Sequence, residues 1–266
     1  FLSMSIQYNS KRKHDSFYKN EDQFSNPKEY FKECGSLLLK EFSKSNLKTI
    51  DFLDIGCAAG DFLRYLSSIS EDKFEINYCG SDVMSELLIE AKNRFAKGYY
   101  EYADLSNQSE ELSAIFKRKF DFISMLGVHS IFDELFWLDN VINSLKNGGK
   151  AIVYGIFNPY PYDLIMRVRK SSDSHLEPGW NVHSKKTIIE HCKSRGVSCD
   201  FRDFEPDIVL GRDGNDSLRA WNILLDENKK ENDSSSSALI FEKNRKRIFT
   251  NATRIIHDYA FCLISK

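Results

Sequence analysis

A chain of 266 residues, 41% hydrophobic and 29% charged, can bury one large core, whereas two full-size domains would leave both cramped. Its formal net charge of -2, with acids and bases interspersed, supplies no field for a phosphate backbone or an anionic membrane, so neither nucleic acid nor membrane is expected as a partner. No apolar run approaches the roughly 20 residues that span a bilayer and no signal-like apolar core opens the chain, so a cytoplasmic protein is expected.

Residues up to about Asn26 are polar with few apolar anchors, and are expected to be mobile or to order on a ligand. "PKEYFKECGSLLLKEFSK" then places Pro27 at a helix start, ahead of an apolar stripe that includes Tyr30, Phe31, Leu38 and Phe42. From there strands and helices alternate. "KTIDFLDIG" reads as a strand, 61–68 as a helix, "FEINYCGSD" as a strand, and "SELLIEAKNRFA" as a helix capped by Ser85. "GYYEYADL" and "FDFISMLGV" are the third and fourth strands. "FDELFWLDNVINSLKNGG" is a helix closed by Gly148 and Gly149, and "KAIVYGIF" the fifth strand.

After Asn158 the pattern loosens. "YPYDLIMRVRKSS" is taken as a helix, "SDSHLEPGWNVHS" as a loop, "KKTIIEHCKSRG" as a helix closed by Gly196, and "VSCDFRDF" as a strand. The remainder holds two or three strand-like pieces around a charged, Ser-rich linker over 227–237. The alternation predicts an α/β fold, a doubly wound and mostly parallel sheet with helices on both faces. One domain is expected over 1–266, comprising a helical lid (1–46), a cofactor-binding core (47–158), and a substrate-side insertion with C-terminal strands (159–266).

The turn "DIGCAAGD" departs from the dinucleotide pattern G-x-G-x-x-G: from Gly56, the second and third glycine places hold Ala58 and Asp61. Asp61 on the first helical turn would repel a pyrophosphate and favour a cationic ligand, and Asp54 adds a second carboxylate on the same rim. Asp82 ends the second strand, where a carboxylate can accept ribose hydroxyls, and Asp104 follows the third, able to accept from an adenine amino group. S-adenosylmethionine, a nucleoside bearing ammonium and sulfonium but no phosphate, fits this charge pattern.

"LDIGCAAG", "GSDVM", "YADL" and "FDFISMLGVHSIFDEL", in that order over 49–157, resemble the motifs of class I S-adenosylmethionine-dependent methyltransferases. The resemblance implies a seven-stranded sheet whose last strand, "HDYAFCLIS", runs antiparallel. It implies that Asp54, Gly56, Cys57, Ala58 and Gly60 shape the methionine pocket and that Asp82 holds the ribose. Val83, Met84, Ala103, Asp104 and Leu105 would surround adenine, with Leu126 and Gly127 on the far side. His129, just past the fourth strand, is the candidate general base, and His175, Trp180 and His183 are candidate substrate contacts. "NPYP" (158–161) resembles the N-P-P-Y/F signature of amino-methyltransferases, but it follows the fifth strand where that signature follows the fourth, and reads as a rigid turn.

The C-terminal "RKRIFTNATRIIHDYAFCLISK" is similar to tails of methyltransferases from bacterial surface-polysaccharide pathways. That likeness suggests a sugar, nucleotide-linked or phosphorylated acceptor methylated on oxygen, with Arg167, Arg169, Lys170 and Arg212 as contacts for an anionic group. The alternatives are a protein or nucleic-acid methyltransferase and a non-catalytic cofactor-binding partner protein. The six cysteines lack metal-finger spacing and read as reduced thiols, no acidic cluster has a histidine at ligand spacing, and so no metal is expected. A monomer or homodimer is expected.

Overall fold

The structure is a computed structural model that describes residues 18–19, 23–70, 73–106, 111–169, 171–172, 176–205, 239–243, 246–250 and 257–266. Helix α1 (Glu29–Ser45) precedes β1 (Thr49–Ile55), α2 (Asp61–Ser70), β2 (Glu75–Asp82), α3 (Ser85–Arg94) and β3 (Tyr99–Tyr102). A single turn, α4 (Leu112–Ile115), leads to β4 (Phe120–Leu126) and a 3-10 turn at His129–Ile131, followed by α5 (Phe136–Ser144) and β5 (Leu145–Asn158). The short strands β6 (Arg167–Val168), β7 (Glu177–Pro178) and β8 (His183–Ser184) come before α6 (Lys185–Ser194) and β9 (Ser198–Asp203). Last are β10 (Leu239–Lys243), β11 (Lys246–Thr250) and β12 (Asp258–Ser265).

The main sheet runs in the order β3-β2-β1-β4-β5-β12-β9, with β8 also paired to β5. Strands β1 to β5 are mutually parallel, and the last strand, β12, lies antiparallel to β9. The expected α/β sheet is therefore present, widened by the short β8. Period-two alternation sorts its side chains between two cores. Ile50, Phe52, Phe122, Ile152 and Tyr154 pack with α1 and α2 on one face, while Leu53, Ile55, Ile123, Met125, Ala151 and Val153 pack with α4, α5 and α6 on the other. The order reverses at β1, whose neighbours are β2 and β4. A crevice opens at such a switch point beyond the carboxyl ends of the strands.

The chain divides into two compact units, Phe1–Pro206 with Tyr259–Lys266, and Asp207–Asp258. The smaller holds the antiparallel hairpin of β10 and β11. The predicted linker at 227–237 and most of the N-terminal segment lie outside the described residues.

Four local expectations are corrected. Ser85 is the first residue of α3 and not its cap; the preceding Met84 amide donates to Asp82 Oδ1 at 2.9 Å. Helix α5 ends at Ser144, and Gly148, at φ 78°, lies inside β5, where its amide donates to the Lys266 carbonyl at 2.9 Å. Among the described residues of 160–172, the stretch expected to be a helix, no helix forms. Leu164 and Val182 exchange both backbone bonds at 3.0 and 2.9 Å, and β6 pairs with β7 within the segment expected to be helix and loop. Tyr160, Tyr162 and Ile165 all remain exposed, so this stretch has no buried stripe to favour a helix over those pairings.

Candidate functional site

The chain leaves β1 through a turn that glycine geometry dictates. Gly56 and Gly60 take φ values of 69° and 79°, and a β-carbon on Gly56 would sit 2.3 Å from Val128 Cγ2. The Gly56 and Cys57 amides donate to the Ser81 carbonyl at 2.8 and 3.0 Å, which stitches the turn to the end of β2. Ala58 keeps a left-handed φ of 45° despite its methyl group, and its amide donates to Asp82 Oδ2 at 2.9 Å. Asp82 thus accepts one backbone amide on each oxygen, from Ala58 and from Met84. Each oxygen has capacity for a further donor. Burial raises the Asp82 carboxyl above the usual range, against the pull of those amides.

Asp54 is buried at the end of β1, where its Oδ1 accepts from the Ser124 hydroxyl at 2.6 Å. Burial above all, with the Asp82 charge adding to it and the Ser124 bond opposing it, lifts its carboxyl to about 7. Asp104 accepts from the Ser106 amide and hydroxyl at 3.0 and 2.6 Å, so it shapes its own turn while lining the cleft. Asp61 is already paired. Arg94 Nη1 lies 3.2 Å from each of its oxygens, which cancels much of the repulsion expected toward a pyrophosphate.

These groups border a cleft of about 1080 Å³, open mouth included, at the carboxyl ends of β1, β2 and β4. Twelve of the thirteen expected cofactor residues line it: Asp54, Gly56, Cys57, Ala58, Asp82, Val83, Met84, Ala103, Asp104, Leu105, Leu126 and Gly127. Gly60 stands behind the wall, where a β-carbon would come 3.1 Å from Ala91 Cβ. Tyr18, an aromatic of the expected N-terminal lid, is also in the lining, and so are Gln23, Tyr30, Phe31, Phe62, Ile131 and Phe132, whose place there was not foreseen. Tyr30 and Phe31 read as part of a helix stripe, since periodicity identifies an apolar face without saying what it covers.

His129, expected as the general base, is buried and lies outside the cleft lining. The ring is fully buried and stacks on Phe157, with centroids 4.5 Å apart and planes at 7°. Its Nε2 donates to the Ile156 carbonyl at 3.1 Å, and burial chiefly, with His183 nearby, lowers the imidazole to about 4. Gly155 makes room for it: a β-carbon there would lie 2.0 Å from His129 Cε1.

His183 is also buried, donating from Nε2 to the Phe132 carbonyl at 2.9 Å. Asn181 Nδ2 donates to the same carbonyl at 3.0 Å and to Asp133 Oδ1 at 2.9 Å. Both side chains thus brace the loop that carries Ile131 and Phe132, and both lie outside the cleft lining. Trp180, half-buried with φ 58°, lies outside the cleft lining, and His175 lies outside the described residues. Among the described residues no His, Cys, Asp and Glu cluster suits a metal ion, all six cysteines are free, and no helix is long and apolar enough to cross a membrane.

Residues 53–151, under half of the chain, match the family model described as a methyltransferase domain. Those residues carry most of the cleft lining, so the matched stretch and the candidate site coincide. Among solved structures, an S-adenosylmethionine-dependent methyltransferase from Clostridium acetobutylicum ATCC 824 is 15% identical, with 95% of this chain and 98% of that one covered at a TM-score of 0.53. Streptomyces venezuelae DesVI is 13% identical over 71% of this chain and 91% of that one, with a TM-score of 0.48. The DhpI–SAM–HEP complex is 15% identical over 72% and 91%, also at 0.48. At such identities the first of these establishes likeness of fold alone. No curated protein matches the sequence.

Proposed function

We propose that this chain transfers a methyl group from S-adenosylmethionine to a small-molecule acceptor. Asp82 carries the reading. It stands at the end of β2 inside the matched domain, lines the cleft, and holds one backbone amide on each oxygen while a second acceptor site on each is left for a vicinal diol. Val83, Met84, Ala103, Asp104 and Leu105 would border the adenine. Gly56, Cys57, Ala58 and Asp54 would border the methionine portion opposite Leu126 and Gly127, with Gly60 supporting the turn from behind.

The charge of the cleft fits this donor. Asp54, Asp82 and Asp104 line it beside the Arg94-paired Asp61, whereas no Lys or Arg does among the described residues. Bound there, the donor supplies an electrophilic methyl on a sulfonium. The chain's own residues bind, orient and exclude water. Tyr30, Phe31, Phe62, Ile131 and Phe132 form a largely apolar wall that desolvates whatever enters. With His129 sealed away, alignment supplies the rate and no side-chain base is assigned.

Of the acceptors the sequence suggested, an uncharged hydroxyl such as a sugar oxygen suits this lining better than a phosphorylated or nucleotide-linked precursor. Arg167 is ion-paired with Asp133, Arg169 is an exposed residue outside the lining, and Lys170 and Arg212 lie outside the described residues. A place in surface-polysaccharide synthesis rests on the C-terminal resemblance. Titration calorimetry tests the donor: S-adenosylhomocysteine should bind and NAD should not. Heat from NAD with none from the adenosyl ligand would sink the assignment.

A further inference from the structure

Two residues ahead of α1, Tyr18 and Gln23, line the cleft, and several contacts fasten their neighbourhood to the domain, one place being the end of α3. That place is Arg94, the last residue of α3. Its Nε donates to Glu90 Oε1 at 2.8 Å, its Nη1 reaches both oxygens of Asp61 at 3.2 Å, and its Nη2 donates to the Lys19 carbonyl at 2.6 Å. The Gln23 amide donates to Asp61 Oδ2 at 3.3 Å, so Asp61 is gripped from both sides. The side chains of Arg94 and Asp61 are only 18% and 8% exposed, which shields their ion pair from water and salt, while the bond to the Lys19 carbonyl lies exposed. A second hold lies close by, where the Arg64 guanidinium sits 3.8 Å over the Phe24 ring.

We infer that Arg94 is a positioning residue for cofactor capture: its forked guanidinium joins Asp61 to the Lys19 carbonyl and so holds Tyr18 and Gln23 against the cleft. Arg94 itself lines no part of that cleft. The chemistry needs a fork, since an ammonium could keep the charge beside Asp61 but could not span both acceptors in fixed directions. The consequence is a slow exit for a bound ligand, because the contacts of Tyr18 and Gln23 must be given up before it leaves. The inference rests on the adenosyl ligand proposed above.

The test measures the affinity and dissociation rate of S-adenosylhomocysteine for the wild type, Arg94→Gln, Arg94→Lys and the control Arg118→Gln, whose ion pair with Asp51 lies away from the cleft. Arg94→Gln should weaken binding roughly tenfold, mainly through faster dissociation, the change expected for the loss of one charge-assisted contact. Arg94→Lys should keep the thermal midpoint of the free protein yet still bind several-fold more weakly, and Arg118→Gln should bind like the wild type. Hydrogen exchange at Lys19 and Gln23 in the bound state should rise in both Arg94 variants. Wild-type affinity in Arg94→Lys would overturn the inference even if Arg94→Gln failed to fold. A wild type that does not bind the ligand at all would instead overturn the proposed donor.

Discussion

At the scale of single residues, the cleft depends on carboxylates whose surroundings assign them different tasks. Asp82 is organised by two amides fixed in the turn after β1 and at the start of α3, so its oxygens are aimed before any ligand arrives. Such preorganisation avoids the cost of ordering a side chain on binding. Asp82→Ala should therefore weaken S-adenosylhomocysteine by about 1.5–3 kcal/mol, the loss usual for a charged hydrogen-bond acceptor. Calorimetry reads that change, and urea unfolding should show that most of the stability survives, because the freed amides face the cleft. Affinity equal to the wild type would remove Asp82 from the ribose. Asp61, by contrast, is engaged by Arg94 and Gln23, so the acid on the first turn of α2 has a structural partner before it has a ligand.

At the scale of elements, β5 and the 3-10 turn after β4 are made for each other. Gly155 lies where any side chain would strike the His129 ring, and so leaves room for that imidazole to lie flat on Phe157. Gly155→Ala should cost about 1–3 kcal/mol by overpacking, measured as a lower urea midpoint. In a His129→Ala background the same substitution should cost less than about half as much, and equal costs in both backgrounds would show that the two residues do not meet. Pairings of this kind explain what the sequence could and could not disclose. The alternation of Ile50 and Phe52 against Leu53 and Ile55 was legible because both faces of the sheet are buried, and the strand ends then located Asp54, Asp82 and Asp104. The orientation of His129 was not, because the room for it is left by a missing β-carbon in another strand. Nor were Leu164 and Val182, whose pairing is tertiary, or the use of Tyr30 and Phe31 as cleft wall.

At the scale of the whole molecule, two buried groups give folding opposite dependences on pH in nearly the same window. Asp54 is raised from its ordinary 3.8 to about 7, so the folded state binds a proton that the unfolded chain has released. Its contribution is fully present below about pH 4 and is lost as pH rises through about 7, a swing on the order of 4 kcal/mol. The raised carboxyl of Asp82 acts in the same direction. His129 is lowered from its ordinary 6.5 to about 4, so here the unfolded chain holds the extra proton. Its contribution is present above about pH 6.5 and is lost as pH falls toward about 4, a swing on the order of 3 kcal/mol, and the lowered imidazole of His257 adds to it. The two slopes oppose each other, so wild-type stability should change little between pH 4.5 and 6.5, a window of about two units set by these shifts. Single substitutions should expose each slope. Asp54→Asn should lose stability steadily on acidification across that window, while His129→Gln should gain it, as read by urea unfolding at half-unit steps, about the spacing needed to resolve a one-proton transition. Two variants that both follow the wild-type curve would mean that neither group is held in the unusual protonation state its burial imposes.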